Sequence, residues 1–396
     1  MTIILKRFIV LVLIMLTIII FTGGNFYFTL RNPGGTDFLV HWVGARSLLM
    51  GKTPYGSEVA ASIQEMIYGR PAAVGEHEFY VVYPLYSSAF FIPFALIDDY
   101  QIARALWMTF LELGLILLAF ESLKIAGWKL RTVSLAFFMI FSLFWYHALR
   151  QIVNGNIVVW VAVFLTFGVG FLKDRMDALA GFFFALATIK PHLVFIPLIT
   201  IFLWLFSVRR WRAIQWFTST VLVFIAAGML IIPDWPIQNL REILRYTSYN
   251  PPTTPGTALI ALLSLPATNL DWIFGIAVVL LLVHEWRKIW GKEYGVFTWV
   301  FGITLVLSQW SGITTDPGNF ILLFLPLVLL MFSLEGWLVL TSMLLLFFGL
   351  WGIFLWTVDA TGLSVQSPAM FFPLPLFLLI GMYYVNHTFR NQKRIV

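Results

Sequence analysis

Residues Val81 to Ile97 read VVYPLYSSAFFIPFALI, and whether this run crosses a membrane decides which face every later segment meets. Hydropathy alone would make it a span. Charge argues otherwise: counted as a span, it would invert all that follows and carry Lys124, Lys129, Arg131 and the Arg209 to Arg212 cluster outside, against the preference of Lys and Arg for cytoplasmic connections. Pro84 and Pro93 also oppose one continuous helix. The run is read as a half-inserted or interfacial segment on the external face.

The 396 residues around it are 60% hydrophobic and only 11% charged, with a mean hydropathy of +0.89. Such a chain uses a bilayer as part of its solvent, and the class is an all-α polytopic membrane protein. The net charge of +6 does not indicate a nucleic-acid partner, because the basic residues sit in short clusters at the ends of apolar runs. The absence of cysteine excludes disulfides, thiolate metal sites and a Cys nucleophile.

Lys6 and Arg7 precede an apolar run from Phe8 to Phe28. It is longer than a signal-peptide core and lacks a small-residue cleavage pattern, so it reads as an uncleaved first span with its N-terminus in the cytoplasm. Further runs at 102–123, 132–149, 156–172, 178–189, 191–207, 213–232, 271–286, 294–308, 319–334, 335–356 and 369–388 predict about twelve transmembrane helices, several shorter than the ~20 residues of a full crossing. They are expected to form a single integral membrane domain over 1–396, with an external loop of amphipathic and interfacial helices at 29–101, the spans of a catalytic module at 102–232 and C-terminal spans at 256–396. Of the 25 Lys and Arg, sixteen then fall on the cytoplasmic side, which is the plasma-membrane topology with both termini inside. The other nine, among them Arg46, Arg104, Arg150 and Lys190, lie outside and need another explanation.

In the external loop, Thr36 is expected to cap a helix that starts at Asp37, runs to Met50 and ends at Gly51. Asp37 and His41 share one face of it and Arg46 points elsewhere. A second amphipathic helix is expected over 58–68, and both should lie on the membrane surface over the bundle. Asp37 has two readings: an acid stabilised by the helix dipole, or an external carboxylate that serves as a base.

The other candidates are equally two-sided. Lys190 interrupts the apolar stretch from Ala178 to Phe206, either snorkelling from a helix end or holding a phosphate. Arg150 has the same alternatives, and Arg104 is expected to pair with Asp98 and Asp99. Asn154 and Asn156 flank a turn-forming glycine and serve either the turn or a sugar. His41 and His192 read as packed histidines. Tyr83 stacks on a ligand or shapes the loop, and Trp310 marks an interface or packs on a sugar face. The external acids are scattered with no Asp-x-Asp, so a divalent metal is not required, and no Gly-rich nucleotide loop is present.

The run from Thr36 to Tyr55, then Tyr83-Pro84-Leu85, Ala103 to Trp107, the RQIVNGN of Arg150 to Asn156, and AGFFFALATIKPHLVFIPL around Lys190-Pro191 together resemble glycosyltransferase family 87, over roughly the first half of the chain and in the same order. That resemblance implies the C-type glycosyltransferase fold and a polyprenyl-phosphate sugar donor, mannose by family analogy. It implies that Asp37 is the catalytic base and that Lys190 is the basic residue at the external end of a short helix pair. The second half departs from the family pattern: where many relatives carry a His after a Ser-x-x-Trp stretch, this chain has Ser308-Gln309-Trp310-Ser311-Gly312.

The expected activity is inverting transfer of a hexose from a polyprenyl phosphate to a hydroxyl of a glycolipid or glycan acceptor, for which one carboxylate suffices. Asp37 acts as base and Lys190, Arg150, Asn154, Asn156, His41, Tyr83 and Trp310 bind substrate. No cofactor is expected. The rival reading is a transporter or flippase of lipid-linked glycans, which would show internal repeats and mid-membrane charges; Glu112 is the main mid-span acid and no convincing repeat is visible.

Overall fold

The computed structural model describes residues 3–250, 253–266, 270–313, 315–334, 336–361 and 366–392. In chain order the helices are α1 (Ile3–Arg31), α2 (Thr36–Leu49), α3 (Ser57–Tyr68), α4 (Ile92–Ala95), α5 (Tyr100–Ala126), α6 (Thr132–Phe144), α7 (Tyr146–Asn154), α8 (Val158–Lys173) and α9 (Asp177–Ala187). They continue as α10 (Pro191–Ser207), α11 (Trp211–Ile231), α12 (Trp235–Tyr249), α13 (Pro255–Leu263), α14 (Leu270–Ile289), α15 (Tyr294–Ser308), α16 (Phe324–Phe332), α17 (Gly336–Thr361) and α18 (Pro373–Gln392). Short 3-10 turns occupy Leu85–Phe90, Pro317–Leu323 and Pro368–Phe371, and no strand occurs among the described residues.

Among the described residues, five helices are long and apolar enough to cross a membrane: those holding Leu11–Arg31, Tyr100–Ala126, Trp211–Ile231, Gly336–Val358 and Pro368–Asn386. The bent pair of α6 and α7, which meet at 49°, makes up to six. The protein is therefore a membrane protein, and α8, α9, α10, α15 and the Pro317–Phe332 segment are apolar helices below full crossing length. The Val81–Ile97 run forms a 3-10 turn and the four-residue α4, neither long enough to span, with Pro93 at the start of α4 where a missing N–H is tolerated.

Contacts divide the chain into two compact units that interleave in sequence. The first holds Met1–Gly114, Arg150–Ile157 and Ala227–Asn250; the second holds Leu115–Leu149, Val158–Ala226 and Pro251–Val396.

In the first unit, α1 is tied to α5 by polar groups within an apolar surface. Asn25 Nδ2 donates to Thr109 Oγ1 at 3.1 Å and to Glu112 Oε2 at 2.9 Å, so the mid-span acid predicted from sequence is a helix-to-helix lock of the kind that hydrocarbon favours. Against this frame α2 departs from expectation. Phe38, Leu39, Val40, His41, Trp42, Ala45 and Ser47 are all buried, so α2 is a packed helix and not an amphipathic one on the membrane surface; its apolar side chains circle the helix and leave no polar face. α3, by contrast, buries one side, Val59, Ala60, Ile63 and Gln64, and ends at Gly69 in the left-handed conformation.

The second unit draws its basic connections to one end. Lys124 Nζ lies 2.8 Å from Asp174 Oδ2, Lys173 Nζ donates to the carbonyl of Lys124 at 2.9 Å, and Arg210 pairs with Asp177 and donates to the Leu172 carbonyl at 2.8 Å. The Gly291 N–H donates to Ser207 Oγ at 3.0 Å, and Trp204 Nε1 to the Lys292 carbonyl at 2.9 Å. Connections that the charge pattern assigned to one side of the membrane thus meet one another, and Lys190 caps the opposite end of α10.

Candidate active site

The first unit carries Asp37, and its position begins with a fastened turn. Gly35 precedes α2 at φ 76, a region open to glycine at little cost, and a Cβ there would stand 2.4 Å from Arg104 Nε. Gly35 is thus the N-cap, with no side-chain cap; the hydroxyl of Thr36 does not serve, because Thr36 already lies inside the helix. From α5, Tyr100 Oη donates to the carbonyls of Gly34 and Gly35, each at 3.0 Å. Arg104 Nη1 donates to the Asn32 carbonyl at 2.7 Å. Asp37 follows, half-buried in the first turn, where a helix dipole favours negative charge.

Aromatic rings wall this position. Phe38 stacks on Trp107 at 5.6 Å and 13°, and His41 stacks on Phe91 at 4.0 Å and 4° while its ring centre lies 4.1 Å from that of Tyr83. Tyr83 is the common neighbour: burial, then the Asp37 carboxylate, then Tyr246 push its hydroxyl well above the ordinary range. Its carbonyl accepts a hydrogen bond from Tyr55 Oη at 2.8 Å. Asp37, His41 and Tyr83 are therefore brought together, with Tyr83 a neutral phenol beside a carboxylate.

The second fastening is the turn after α7. The Asn156 N–H donates to the Gln151 carbonyl at 3.0 Å and the Gly155 N–H to that of Ile152 at 3.2 Å, the paired bonds of a Schellman cap, with Gly155 at φ 74. Trp107 Nε1 donates to the Gly155 carbonyl at 2.8 Å and Arg104 Nη2 to the Val153 carbonyl at 3.0 Å. Gly155 packs on Phe38, the residue after Asp37. Asn154 and Asn156, both half-buried, flank that contact, and half-buried Arg150 stands at the start of the segment.

Arg104 thus holds carbonyls and not the expected acids. It is 2% exposed, while Asp98 pairs with Arg46 at 2.8 Å and Asp99 Oδ1 accepts from the N–H groups of Gln101 and Ile102 at the start of α5. The long Arg46 side chain reaches the loop end first, and Asp99 is occupied locally as a helix cap.

In the second unit Lys190 is 6% exposed and donates from Nζ to Asn319 Oδ1 at 3.1 Å. Asn319 Nδ2 donates to Thr315 Oγ1 at 3.4 Å, and Thr315 Oγ1 to Gln309 Oε1 at 3.3 Å. Gln309, Thr315 and His192 line a small cleft with Leu193, Ile196, Ser308 and Ile313. The region where the sequence departs from the family pattern therefore builds a buried amide and hydroxyl array onto Lys190. Fully buried His147 packs at 5.5 Å on Phe320 of the same segment. Trp310 lies outside this array: it is 8% exposed, packs on Phe274 and Phe372, and donates to the Phe371 carbonyl at 3.3 Å, which is a packing role. Among the described residues no group of three His, Asp or Glu side chains could hold a metal ion.

Two features of the first unit were missed from sequence, Tyr55 and the helix α12. The signal for α12 was present: Asp234 ahead of Pro236, then apolar Ile237, Leu240, Ile243 and Leu244 spaced against polar Gln238, Asn239 and Glu242, a helical period behind a Pro near its start.

A single carboxylate fixed at a helix mouth, ringed by aromatic side chains and bordered by two asparagines, can take a proton from a hydroxyl while amides hold a polyol. Comparison with curated proteins and with solved structures returned no match. The model of glycosyltransferase family 87 matches residues 80–309, a span that includes Tyr83, the Arg150 to Asn156 run and Lys190 and that begins after Asp37. With more than half of its length matched, the chain belongs to glycosyltransferase family 87.

Proposed function

We propose that this glycosyltransferase moves a hexose, mannose by family analogy, from a polyprenyl phosphate to a hydroxyl of a glycolipid or glycan acceptor, with inversion, on the external face of the plasma membrane. One observation carries the reading: Asp37 is held half-buried at the N-terminus of α2 by two separate fastenings, from Tyr100 and Arg104 before it and from Gly155 behind Phe38. A base needs such fixed placement, because proximity is worth orders of magnitude in rate.

The acceptor O–H gives its proton to the Asp37 carboxylate as its oxygen bonds to C1. The C1–O bond to phosphate breaks on the opposite face, and its electron pair leaves with the polyprenyl phosphate. Lys190, and with it Arg150, stabilises the charge that builds on the phosphate oxygens. Asn154 and Asn156 bind sugar hydroxyls, and His41 and Tyr83 shape the pocket around the base. External placement is supported by the gathering of Lys124, Lys173, Arg210 and Lys292 at one end of the second unit with Lys190 at the other end of α10. About twelve crossings, with the short helices α8, α9, α10 and α15 counted among them, fit the same pattern in the C-type arrangement.

The test is purified protein in nanodiscs given polyprenyl-phosphate hexoses or nucleotide sugars with a lipid extract, products being read by mass spectrometry. Release of free polyprenyl phosphate together with a glycosylated product is expected. Lys190→Ala should slow use of the lipid donor, and Lys190→Arg should recover part of it. Efficient transfer from a nucleotide sugar without a lipid carrier sinks the donor assignment.

A further inference from the structure

α12 is built inside out. Ile237, Leu240, Ile243 and Leu244 are 64%, 56%, 40% and 67% exposed, whereas Asn239 and Glu242 are each 6% exposed. A surface helix of a soluble protein shows the reverse; an apolar outer side belongs to a helix at the membrane interface. What needs explaining is the inner side. Asn239 Nδ2, Glu242 Oε2 and Tyr249 Oη are buried and have no hydrogen-bond partner among the described residues, and residues 239, 242, 246 and 249 recur on one face at helical spacing. Three such groups on one face ask for a ligand or ordered solvent that completes their bonds.

The elements opposite that face set the kind of ligand. Trp235 meets Tyr86 edge-on at 6.0 Å, Tyr246 and Tyr249 lie 5.8 and 5.1 Å from the His77 ring, and the Arg245 guanidinium covers Tyr80 at 4.0 Å while pairing with Glu78 at 2.8 Å. Thr53 Oγ1 donates to Gln238 Oε1 at 2.6 Å. Aromatic faces beside a buried carboxylate and a carboxamide suit a pyranose, whose hydroxyls donate to the acid and exchange bonds with the amide while its C–H face lies on a ring. Burial, joined by the Glu78 carboxylate, raises the Glu242 carboxyl above its ordinary range, more than the Arg245 and Arg241 guanidinium groups draw it down. The Tyr83 hydroxyl is pushed up by burial, then by the Asp37 carboxylate and by Tyr246, so a residue of this face and the proposed base act on one phenol.

We propose that the inward face of α12, through Asn239, Glu242 and Tyr249, is the subsite that holds the acceptor sugar by its hydroxyl groups. The assignment rests on the reading of Asp37 as the base of a glycosyl transfer and adds the acceptor to it. Glu242 accepts hydroxyl hydrogens, Asn239 donates to a ring or hydroxyl oxygen, and Tyr249 completes the rim.

Saturation-transfer NMR tests it with the whole protein in nanodiscs and a panel of methyl hexopyranosides and methyl disaccharides. Wild-type protein should saturate at least one glycoside, and Asn239→Ala and the isosteric Glu242→Gln should weaken that binding by ~10-fold or more, as expected for a lost bond to a charged or buried group. Tyr249→Phe, which removes only a hydroxyl, should weaken it less. Variants that melt with the wild type yet bind undiminished overturn the subsite, as does a wild type that saturates no glycoside of the panel. Lipid-donor turnover on the same samples separates the two readings. Binding lost in the variants with no transfer in the wild type refutes the donor assignment and keeps the subsite; transfer with an unchanged acceptor KM in Asn239→Ala and Glu242→Gln refutes the subsite alone.

Discussion

Gly155 lies against Phe38 so closely that a Cβ on it would stand 2.4 Å from the Phe38 Cβ. This contact is how the turn after α7 positions the mouth of α2. Gly155→Ala adds that Cβ at φ 74, where an L side chain is strained, and should cost about 1–3 kcal/mol through overpacking and strain together. A lowered melting temperature with a larger fractional loss of transferase activity is the expected pair of results. Activity at the wild-type level would mean that the turn does not position α2.

Arg104 bridges the Asn32 and Val153 carbonyls with one guanidinium. Lysine offers a point charge without the fork, so Arg104→Lys leaves one part-buried carbonyl without its donor and should destabilise by about 1 kcal/mol. Thermal unfolding in nanodiscs checks this, and a melting curve that overlays the wild type would show that the bridge contributes nothing.

Asp37→Asn keeps the shape of the helix mouth and removes the proposed base. Transfer should fall by ~10² or more while donor binding persists. The measurement is single-turnover release of polyprenyl phosphate beside direct donor binding, and near-normal turnover would leave Asp37 only its place in the helix dipole.

Glu76 supplies a pH test of the loop between α3 and α4. Arg70, which bonds both its oxygens at 2.7 and 2.8 Å, and the Ala73 N–H at 2.7 Å hold its carboxyl down at about 2. A depressed folded value means that this contribution is fully present above about 4.5 and is lost as pH falls toward 2. Hydrogen exchange at the Ala73 amide, corrected for intrinsic rate, should keep its protection at pH 5 and lose it on acidification; Glu76→Gln should lack it throughout. Protection that is unchanged at pH 2 would show that another contact orders the turn.

Orientation is checked with single cysteines in the cysteine-free chain. Val74→Cys, at a fully exposed loop position, should react with an impermeant thiol reagent on intact cells, and Lys129→Cys should not. Labelling of Lys129→Cys would reverse the assignment of faces.

What the sequence determined by itself is what local composition and spacing carry. Hydropathy made the chain an all-helical membrane protein, the amphipathic spacing over 58–68 located α3, the prolines and the charge pattern kept Val81 to Ile97 from being a span, and the placing of Asp37 in the first turn of a helix was read correctly. Tertiary structure decided the rest. An apolar helix such as α2 reads the same whether lipid or protein covers it, so its burial was not legible; nor was the choice of Arg104 for carbonyls over Asp98, which depends on where Arg46 reaches. The seating of Gly155 on Phe38 and the inward polar face of α12 join residues far apart in the chain. Such contacts follow from packing geometry, which no spacing along a single segment encodes.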